Sequence, residues 1–453
     1  MTTVEAVVSD TLGIARSEVR DELGYKTIAE WDSFAHVELM LAIESAFGLA
    51  IDDATMTRLG SVGDIRDYVR LGHPATPTER QKAQTPAPEV HRGLAGVFID
   101  ESAISSVDPN RNRLEYRGYD IDDLAQQASF EEVVGLLVDG HLPDRDELAA
   151  LRAELHALQD VPSEILSLVA GLAHLHPMRA LRTAVSALET TTGADERQNG
   201  LRLIAQMPTL IAAHAAARVG RPLAEPPAGL SHATRLLWLL SDEEPSANAV
   251  RFVERDLVVH ADHDSNASTL VARVVVGCGA GMHAAVTAAL AAFEGPLHGG
   301  AAQGVMELID DIGEPSRAAA YVRERRAAGE PIMGFGHRVY RGEDPRVRHL
   351  RSAATKLSVE LGKTTQLAVV EALVAAMAEY SRHGIGPNVD LYGGLVYRLL
   401  GIPDDLATAL FSAGRIAGWV VQCMEQRSNN VLIRPLLRYV GPHDRPYVPL
   451  DRR

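Results

Sequence analysis

Four short stretches in the second half of the chain concentrate side chains that move protons or grip carboxylates. They read His260-Ala261-Asp262-His263-Asp264-Ser265-Asn266-Ala267-Ser268; Gly295-Pro296-Leu297-His298-Gly299-Gly300; Gly334-Phe335-Gly336-His337-Arg338-Val339-Tyr340-Arg341, followed by Asp344-Pro345-Arg346; and Gly386-Pro387-Asn388-Val389-Asp390. Histidines set in glycine-rich turns bring imidazoles close to a ligand without crowding it. Asp390, in a Gly/Pro turn, adds a base. Arg346, Arg415 and Arg434 offer planar forks that match carboxylates. Each stretch alone reads more readily as a structural turn; their joint occurrence points to a site. The His/Asp cluster at 260–264 first suggests a metal. It lacks the helical His-Glu-x-x-His form, and no other stretch supplies a matching ligand set, so no metal is expected.

A fifth string lies near the start: Ala29-Glu30-Trp31-Asp32-Ser33-Phe34-Ala35-His36-Val37-Glu38-Leu39. Ser33 follows an aspartate and opens an apolar-periodic helix flanked by Glu38 and Glu44. Asp32 or Ser33 suits a helix N-cap. The same hydroxyl, on the surface, suits covalent attachment of a group.

The elements that must hold these residues are helical. Ala, Leu and Val dominate the 453 residues and aromatics make up 5 %, a composition that favours helices. Apolar residues recur at three- and four-residue spacing in the first 70 residues (Val4, Val7, Val8, Ile14, then Val37, Met40, Leu41, Phe47). Further helical runs are predicted at 131–140, 145–158, 201–218, 266–293, 316–328, 366–380 and 404–426. Asp404, behind Pro403, is a candidate cap. Strand signals are weak, with Gly93–Ile99 and Glu115–Arg117 the best candidates. Val274–Phe293 has no charged residue over twenty positions; its glycines, His283 and many alanines favour a buried core helix over a membrane span.

The net charge is −16 and the hydrophobic share 46 %, ordinary for a globular chain and wrong for a disordered one. An acidic chain is a poor partner for nucleic acid. Cys278 and Cys423 are too few and too far apart for a disulfide framework. The N-terminus lacks a basic segment followed by an apolar one, so a cytoplasmic location is expected. Residues 1–72 hold thirteen acidic and six basic side chains, which marks a small acidic module. Pro74, Pro77, Pro86 and Pro88 make 73–90 a linker.

The module, about 70 residues with Asp-Ser at this position, resembles an acyl carrier protein, with Phe34 where that family usually has Leu. The resemblance implies that Ser33 carries 4′-phosphopantetheine, attached by a phosphopantetheinyl transferase. It also implies an acidic helix face that docks other biosynthetic enzymes. The body, over about 92–441, resembles citrate synthase. Beyond the four stretches, Gly93–Asp100, Tyr116-Arg117-Gly118-Tyr119-Asp120-Ile121 and His176-Pro177-Met178 fit that family in order. The implied fold class is therefore all-α. A small carrier bundle (1–72) and the linker precede a two-domain, mainly helical body (91–441), whose small lobe spans roughly 303–395; residues 442–453 form a tail.

The citrate synthase resemblance implies a homodimer. It also implies a Claisen-type condensation of an acyl thioester with oxaloacetate or a related 2-oxo acid, the acyl group becoming alkyl on transfer. In that scheme Asp390 is the base, His298 hydrogen-bonds the thioester oxygen, and His337 polarises the oxaloacetate carbonyl. His263 and Asn266 lie near oxaloacetate. Arg346, Arg415 and a partner-contributed Arg434 grip its carboxylates, and Arg341 meets a coenzyme A phosphate. Three departures stand out: Ala302 replaces Asn, Glu294 replaces Lys, and Gly393 replaces Ser. None removes a catalytic group; all bear on the thioester pocket. The fusion suggests that the acyl donor or product is held on Ser33, in specialised metabolism. The alternatives are an ordinary citrate or 2-methylcitrate synthase using coenzyme A thioesters, with a carrier that serves another enzyme, and a non-catalytic scaffold that presents the carrier.

Overall fold

The computed structural model describes residues 3–25, 27, 28, 30, 31, 33–71, 90–94, 96–188, 195–340, 343–381 and 385–453. The chain forms two compact units, Met1–Val97 and Phe98–Arg453. Helix accounts for 62 % and strand for 4 %, which makes the fold all-α.

The first unit packs α1 (Val4–Leu12), α2 (Ser33–Phe47), α3 (Asp53–Arg58) and α4 (Val62–Leu71). Thr3 caps α1 through its hydroxyl, and Gly13 ends it in a left-handed turn at φ 68°. Val8, Trp31, Leu39, Ile43, Val62 and Ile65 are completely buried. Trp31 donates its indole N–H to His36 Nδ1 (3.1 Å), and His36 Nε2 meets the Met56 carbonyl (3.2 Å). That chain of bonds ties the start of α2 to α3. The apolar positions of α2 exceed what one face can bury. Met40 and Leu39 point inward, whereas Val37 and Leu41, expected to share that face, stand 41 % and 56 % exposed. The Pro-rich segment lies outside the described residues, except for Val90.

The second unit begins with a three-stranded antiparallel sheet, β1 (Ser105–Asp108), β2 (Arg113–Tyr116) and β3 (Tyr119–Asp120). Glu115 and Tyr116 are strand as expected; Arg117 (φ 50°) and Gly118 turn the chain. Gly93–Ile99 is not a strand. Gly93, Leu94 and Gly96 all have positive φ, which coils the backbone instead of extending it.

Sixteen α-helices follow among the described residues. They are α5 (Ile121–Gln127), α6 (Phe130–Asp139), α7 (Arg145–Leu158), α8 (Ser163–Gly171), α9 (Pro177–Ala187), α10 (Glu196–Arg218), α11 (His232–Ser241), α12 (Ala247–His260), α13 (Ala267–Gly277) and α14 (Met282–Phe293). They continue with α15 (Ala301–Ile312), α16 (Ala318–Ala327), α17 (Val347–Glu360), α18 (Thr364–Ser381), α19 (Val389–Leu399) and α20 (Ala407–Ser428). The charge-free run is two helices, not one: it breaks between α13 and α14, where Gly279 adopts φ 85°. Asp404 does not cap α20 with its side chain; it accepts from Arg398 instead (3.0 Å). The segment Asp404–Ser428 is long and apolar enough to cross a membrane, but its most apolar window is wholly buried among the other helices.

Candidate active site

The loop at 260–265 is clamped from two sides. Below it, Ser105 Oγ donates to the Asp262 carboxylate (2.5 Å) and accepts from the Asp264 N–H (2.9 Å). Tyr116 Oη accepts from the Asp262 N–H (3.2 Å) and donates to the Asp262 carbonyl (2.9 Å). Thus the small sheet serves chiefly to hold this loop. From the other side, α20 approaches so closely that the Gly418 N–H donates to the Ala261 carbonyl (2.9 Å). A Cβ on Gly418 would lie 2.3 Å from the Ala261 oxygen, so only glycine lets these backbones meet. Gln422 on α20 completes the clamp by donating to Asp262 (3.1 Å).

The clamped loop feeds α13, whose N-cap is Asn266. The Asn266 carboxamide accepts from the Thr269 N–H (3.2 Å) and from Ser268 Oγ (2.8 Å). Its amide group bonds the His263 carbonyl and the Thr269 hydroxyl. Ser268 then carries the contact to His298. The Ser268 N–H donates to His298 Nε2 (3.3 Å), Ser268 Oγ lies 2.8 Å from the same nitrogen, and Trp419 donates to that hydroxyl (3.1 Å). The Ser268 backbone N–H aimed at Nε2 from a helix N-terminus assigns a neutral ring with its proton on Nδ1, the single Ser268 hydroxyl hydrogen then turning to either Nε2 or Asn266 Oδ1. Burial, with Arg415 nearby, lowers the His298 pKa to about 4.

His337 is the opposite tautomer. Its Nδ1 accepts from the Val339 and Tyr340 N–H groups (3.0 and 3.1 Å), which leaves the proton on Nε2. Burial and Arg346 hold its pKa at about 4 as well. The 334–346 turn is stitched to the 386–390 turn: the Gly336 N–H donates to the Gly386 carbonyl (2.8 Å), the Asn388 N–H to the Gly334 carbonyl (2.9 Å) and the Asp344 N–H to the Pro387 carbonyl (3.0 Å). These bonds fix His337 and Arg346 against the start of α19, where Asp390 sits. The Asn388 side chain caps α19 by accepting from the Asp390 N–H (3.1 Å).

Asp390 Oδ1 is buried and has no hydrogen-bond partner among the described residues. A carboxylate in that position resists ionisation. Burial raises its pKa to about 7, with Asp344 and Asp256 adding to the rise and Arg346 and Arg415 opposing it. Those opposing effects put Asp390 within electrostatic reach of both arginines. Arg346 is buried and forked onto Asp344 (Nε–Oδ1 2.9 Å, Nη2–Oδ2 2.6 Å), which leaves Nη1 outside the fork. Arg415 donates to the His260 carbonyl (2.6 Å) and stands over the Phe411 and Phe293 rings. Burial lowers its pKa to about 10, so a buried cation here lacks a full counter-charge.

The structure therefore gathers His263, Asn266, His298, His337, Arg346, Asp390 and Arg415. His263 links the two halves, its ring 5.1 Å from that of His337 and its Nε2 3.2 Å from Tyr340 Oη. Arg434 is not gathered; it is exposed in an irregular stretch after α20. Arg341 lies outside the described residues, and Ser33 is described only as the first residue of α2. Ser105, Ser268, Tyr340, Asp344 and Trp419 were not singled out from sequence. Ser268, Tyr340 and Asp344 lie inside the quoted stretches; Trp419 had no signal beyond its helix. Among the described residues, no group of three or more His, Cys, Asp or Glu is placed to hold a metal.

Glu294, alone of the three departures, has a local explanation. Glu294 faces Arg182 (2.8 Å) and Arg179 (3.6 Å), so its charge is balanced on α9. Ala302 is buried, and its carbonyl would lie 2.9 Å from a Cβ at Gly394; α15 and α19 meet there at backbone distance.

A family model, the citrate synthase C-terminal domain, matches residues 93–436; none matches residues 1–90. Citrate synthase 2 of Bacillus subtilis is 40 % identical over 374 residues, covering 80 % of this chain and 99 % of that protein. The 2-methylcitrate synthase of Mycobacterium tuberculosis is 40 % identical over 364 residues, covering 79 % and 92 %. Among solved structures, the citrate synthase of Thermoplasma acidophilum, in a ternary complex with carboxymethyl coenzyme A and oxaloacetate, aligns with a TM-score of 0.76 at 29 % identity, covering 80 % and 99 %. That of Pyrobaculum aerophilum aligns at 0.75 and 31 %, covering 84 % and 99 %.

Proposed function

The chain belongs to the citrate synthase family, and from that premise we propose that its second unit joins an acyl-coenzyme A to oxaloacetate, forming a citrate-like product. The observation that carries this is the unpartnered Asp390 carboxylate, poised near pH 7, set in one cluster with two neutral imidazoles of opposite tautomer. Asp390 removes a proton from the carbon next to the thioester carbonyl. The Nδ1–H of His298 donates to the oxygen that becomes the enol or enolate, and the Nε2–H of His337 donates to the ketone under attack. A carbon–carbon bond forms, and water then releases coenzyme A, so the acyl group ends as alkyl. Arg346 and Arg415 hold the carboxylates of oxaloacetate, with His263 and Asn266 beside them. Arg341 serves the coenzyme A phosphate.

A homodimer completes the site in this reading. Arg434 lies in a stretch where Val431, Leu436, Leu437 and Val440 are 66–98 % exposed, an apolar arm suited to cover by a second copy. That contact would carry Arg434 into the partner's pocket.

The first unit is proposed as a carrier. Ser33 at the start of α2, with Val37 and Leu41 exposed further along that helix, supports a 4′-phosphopantetheine site served by a transferase and by docking enzymes. Tethering the donor there would raise its local concentration to roughly millimolar, which suits specialised metabolism. The presence of both citrate and 2-methylcitrate synthases among the relatives favours, as a second reading, ordinary coenzyme A thioesters with a carrier that serves another enzyme. Intact-mass analysis of Ser33 after loading with acetyl or propionyl groups and adding oxaloacetate separates the two. A citrate-sized gain on the carrier supports the tethered reaction. No gain, with full turnover of free acyl-coenzyme A, leaves the ordinary one. No condensation with either donor would refute the catalytic reading itself.

A further inference from the structure

A cavity of about 380 Å³ opens between α6, α7, α10 and α11. It shares no lining residue with the His298–His337–Asp390 cluster. Its volume falls within the range of small-molecule sites. Charged and polar side chains in its wall include Glu131, Arg152, Gln159, Ser231, His232 and Arg235.

Arg235 stands out by its burial inside a cavity wall. Arg197 pairs with Asp139 and Glu154, Arg273 with Asp100 and Glu425, and Arg346 with Asp344, whereas Arg117 and Arg221, also without carboxylate pairs among the described residues, give their guanidinium N–H groups to backbone carbonyls. Arg235 has no carboxylate within ion-pair distance among the described residues. Its Nη2 donates to the Thr209 hydroxyl (2.6 Å), and its Nε is buried with no partner. A guanidinium withdrawn from water without a counter-ion is costly, and burial lowers the Arg235 pKa to about 10. The one other arginine pushed as far is Arg415, whose missing counter-charge the catalytic cluster explains.

The wall supplies no paired anion for Arg235; the attractive charge that acts on it, Asp160, lies outside the lining and beyond ion-pair distance. The nearest carboxylate in the lining, Glu131, is already committed: Oε1 accepts from the His232 N–H at the start of α11 (2.9 Å) and lies 3.9 Å from Arg152 Nε. Glu131 is 2 % exposed and His232 8 % exposed. Glu131 Oε2 and His232 Nε2 are buried without partners. The cavity thus holds an unmatched cation, a second arginine largely exposed to solvent, and unsatisfied polar atoms in its wall. Leu155, Leu230 and Ala205 supply an apolar remainder.

We infer that this cavity is a second ligand site, which binds a small organic anion through Arg235 and Arg152. The anionic group, carboxylate or phosphate, replaces the counter-ion that the fold omits, and the ligand's body rests on the leucines.

Calorimetric titration of the full chain with succinate and, separately, with inorganic phosphate tests this. The expected result is saturable binding of at least one anion that Arg235→Gln weakens about tenfold, the loss of a charged hydrogen bond. Condensation activity should be unchanged. Ala153→Trp, at an exposed position on the rim, blocks entry while leaving both arginines intact, so it covers the case in which Arg235→Gln misfolds. It too should weaken binding. Whichever anion both variants weaken names the group recognised. If neither anion binds the wild type, or if both variants titrate like it, the inference is overturned.

Discussion

Ser33 opens a helix whose neighbouring residues Val37 and Leu41 face solvent, whereas Asp390 opens a helix whose following residues, Leu391 to Val396, are buried. The first unit keeps its proposed reactive position at the start of a helix that buries one face, Leu39, Met40 and Ile43, and exposes Val37 and Leu41. Its buried polar contact, Trp31 to His36, holds the fold. In the second unit, Asp390, His263, His298, His337, Arg346 and Arg415 have all been drawn partly or wholly out of water, which raises the pKa of Asp390 and lowers those of the histidines and Arg415, while Asp344 holds Arg346 charged. A carrier needs a reachable attachment point and borrows its chemistry from what is attached. A condensing site makes its chemistry by desolvation, which costs stability and requires the two-sided clamp around the 260–265 loop. The difference teaches that reactivity in this chain tracks polar burial, not the number of polar residues.

The comparison breaks most visibly at Asp390. Asp390→Asn should lower the steady-state rate with acetyl-coenzyme A and oxaloacetate by roughly a thousandfold, yet leave intact the mass gain from 4′-phosphopantetheine attachment to Ser33. Ser33→Ala should do the reverse, abolishing that gain and changing the rate less than twofold. A Ser33→Ala variant as damaged as Asp390→Asn would mean that the units are not chemically separate.

Acidity gives the next largest effect. Asp390 must be ionised to accept a proton, and its pKa is raised to about 7. As the pH falls below 7, kcat/KM should drop about tenfold per unit, or roughly a hundredfold by pH 5. His298 and His337, held near 4, stay neutral through that window. Their stability contribution runs the same way: lowered histidine pKa values favour the fold above about 6.5, and this support is lost as the pH falls toward 4. A rate that is flat from pH 5 to 8 would remove Asp390 as the titrating base.

Ser268→Ala deletes the hydroxyl that links Trp419, Asn266 and His298. The backbone N–H of residue 268 remains, so the ring keeps its tautomer but loses one restraint. About a tenfold fall in kcat is expected, with the KM for oxaloacetate little changed. A large rise in that KM instead would place Ser268 with the substrate grip.

The smallest catalytic effect is expected from Trp31→Phe. It strands buried His36 Nδ1 and should destabilise the first unit by about 1–3 kcal/mol, read from denaturant unfolding. Condensation should be untouched. A matching loss of activity would show that the two units are energetically coupled.

How much of this was legible in the sequence follows the same division. The second unit announces itself because its site is assembled from several turns, each with its own glycines and histidines, in a fixed order. Seven of the residues singled out there are brought together. The supports were harder to see. Trp419 sits in a long apolar helix where any large side chain would satisfy the periodicity, and Ser105 lies about 160 residues from the aspartate it holds. Only three-dimensional proximity gives them meaning. Gly93–Ile99 misled because composition cannot reveal that Leu94 takes a positive φ. The twenty-residue apolar run concealed a helix break, since glycines at 277, 279 and 281 lower helix propensity without fixing where the chain turns. The first unit offered one short string and little convergence, so its chemistry rests on Ser33 alone.

The opposite tautomers of His298 and His337 have an isotopic consequence. Each ring's non-donating nitrogen is closed off by backbone N–H groups, so neither imidazole can relay a proton onward to bulk water. In the proposed reaction, a proton taken by Asp390 has no imidazole exit and is held there. A deuterium carried in on the thioester's reacting carbon would then be returned to that carbon on reversal more often than it is washed out. The site would keep a memory of the atom it removed.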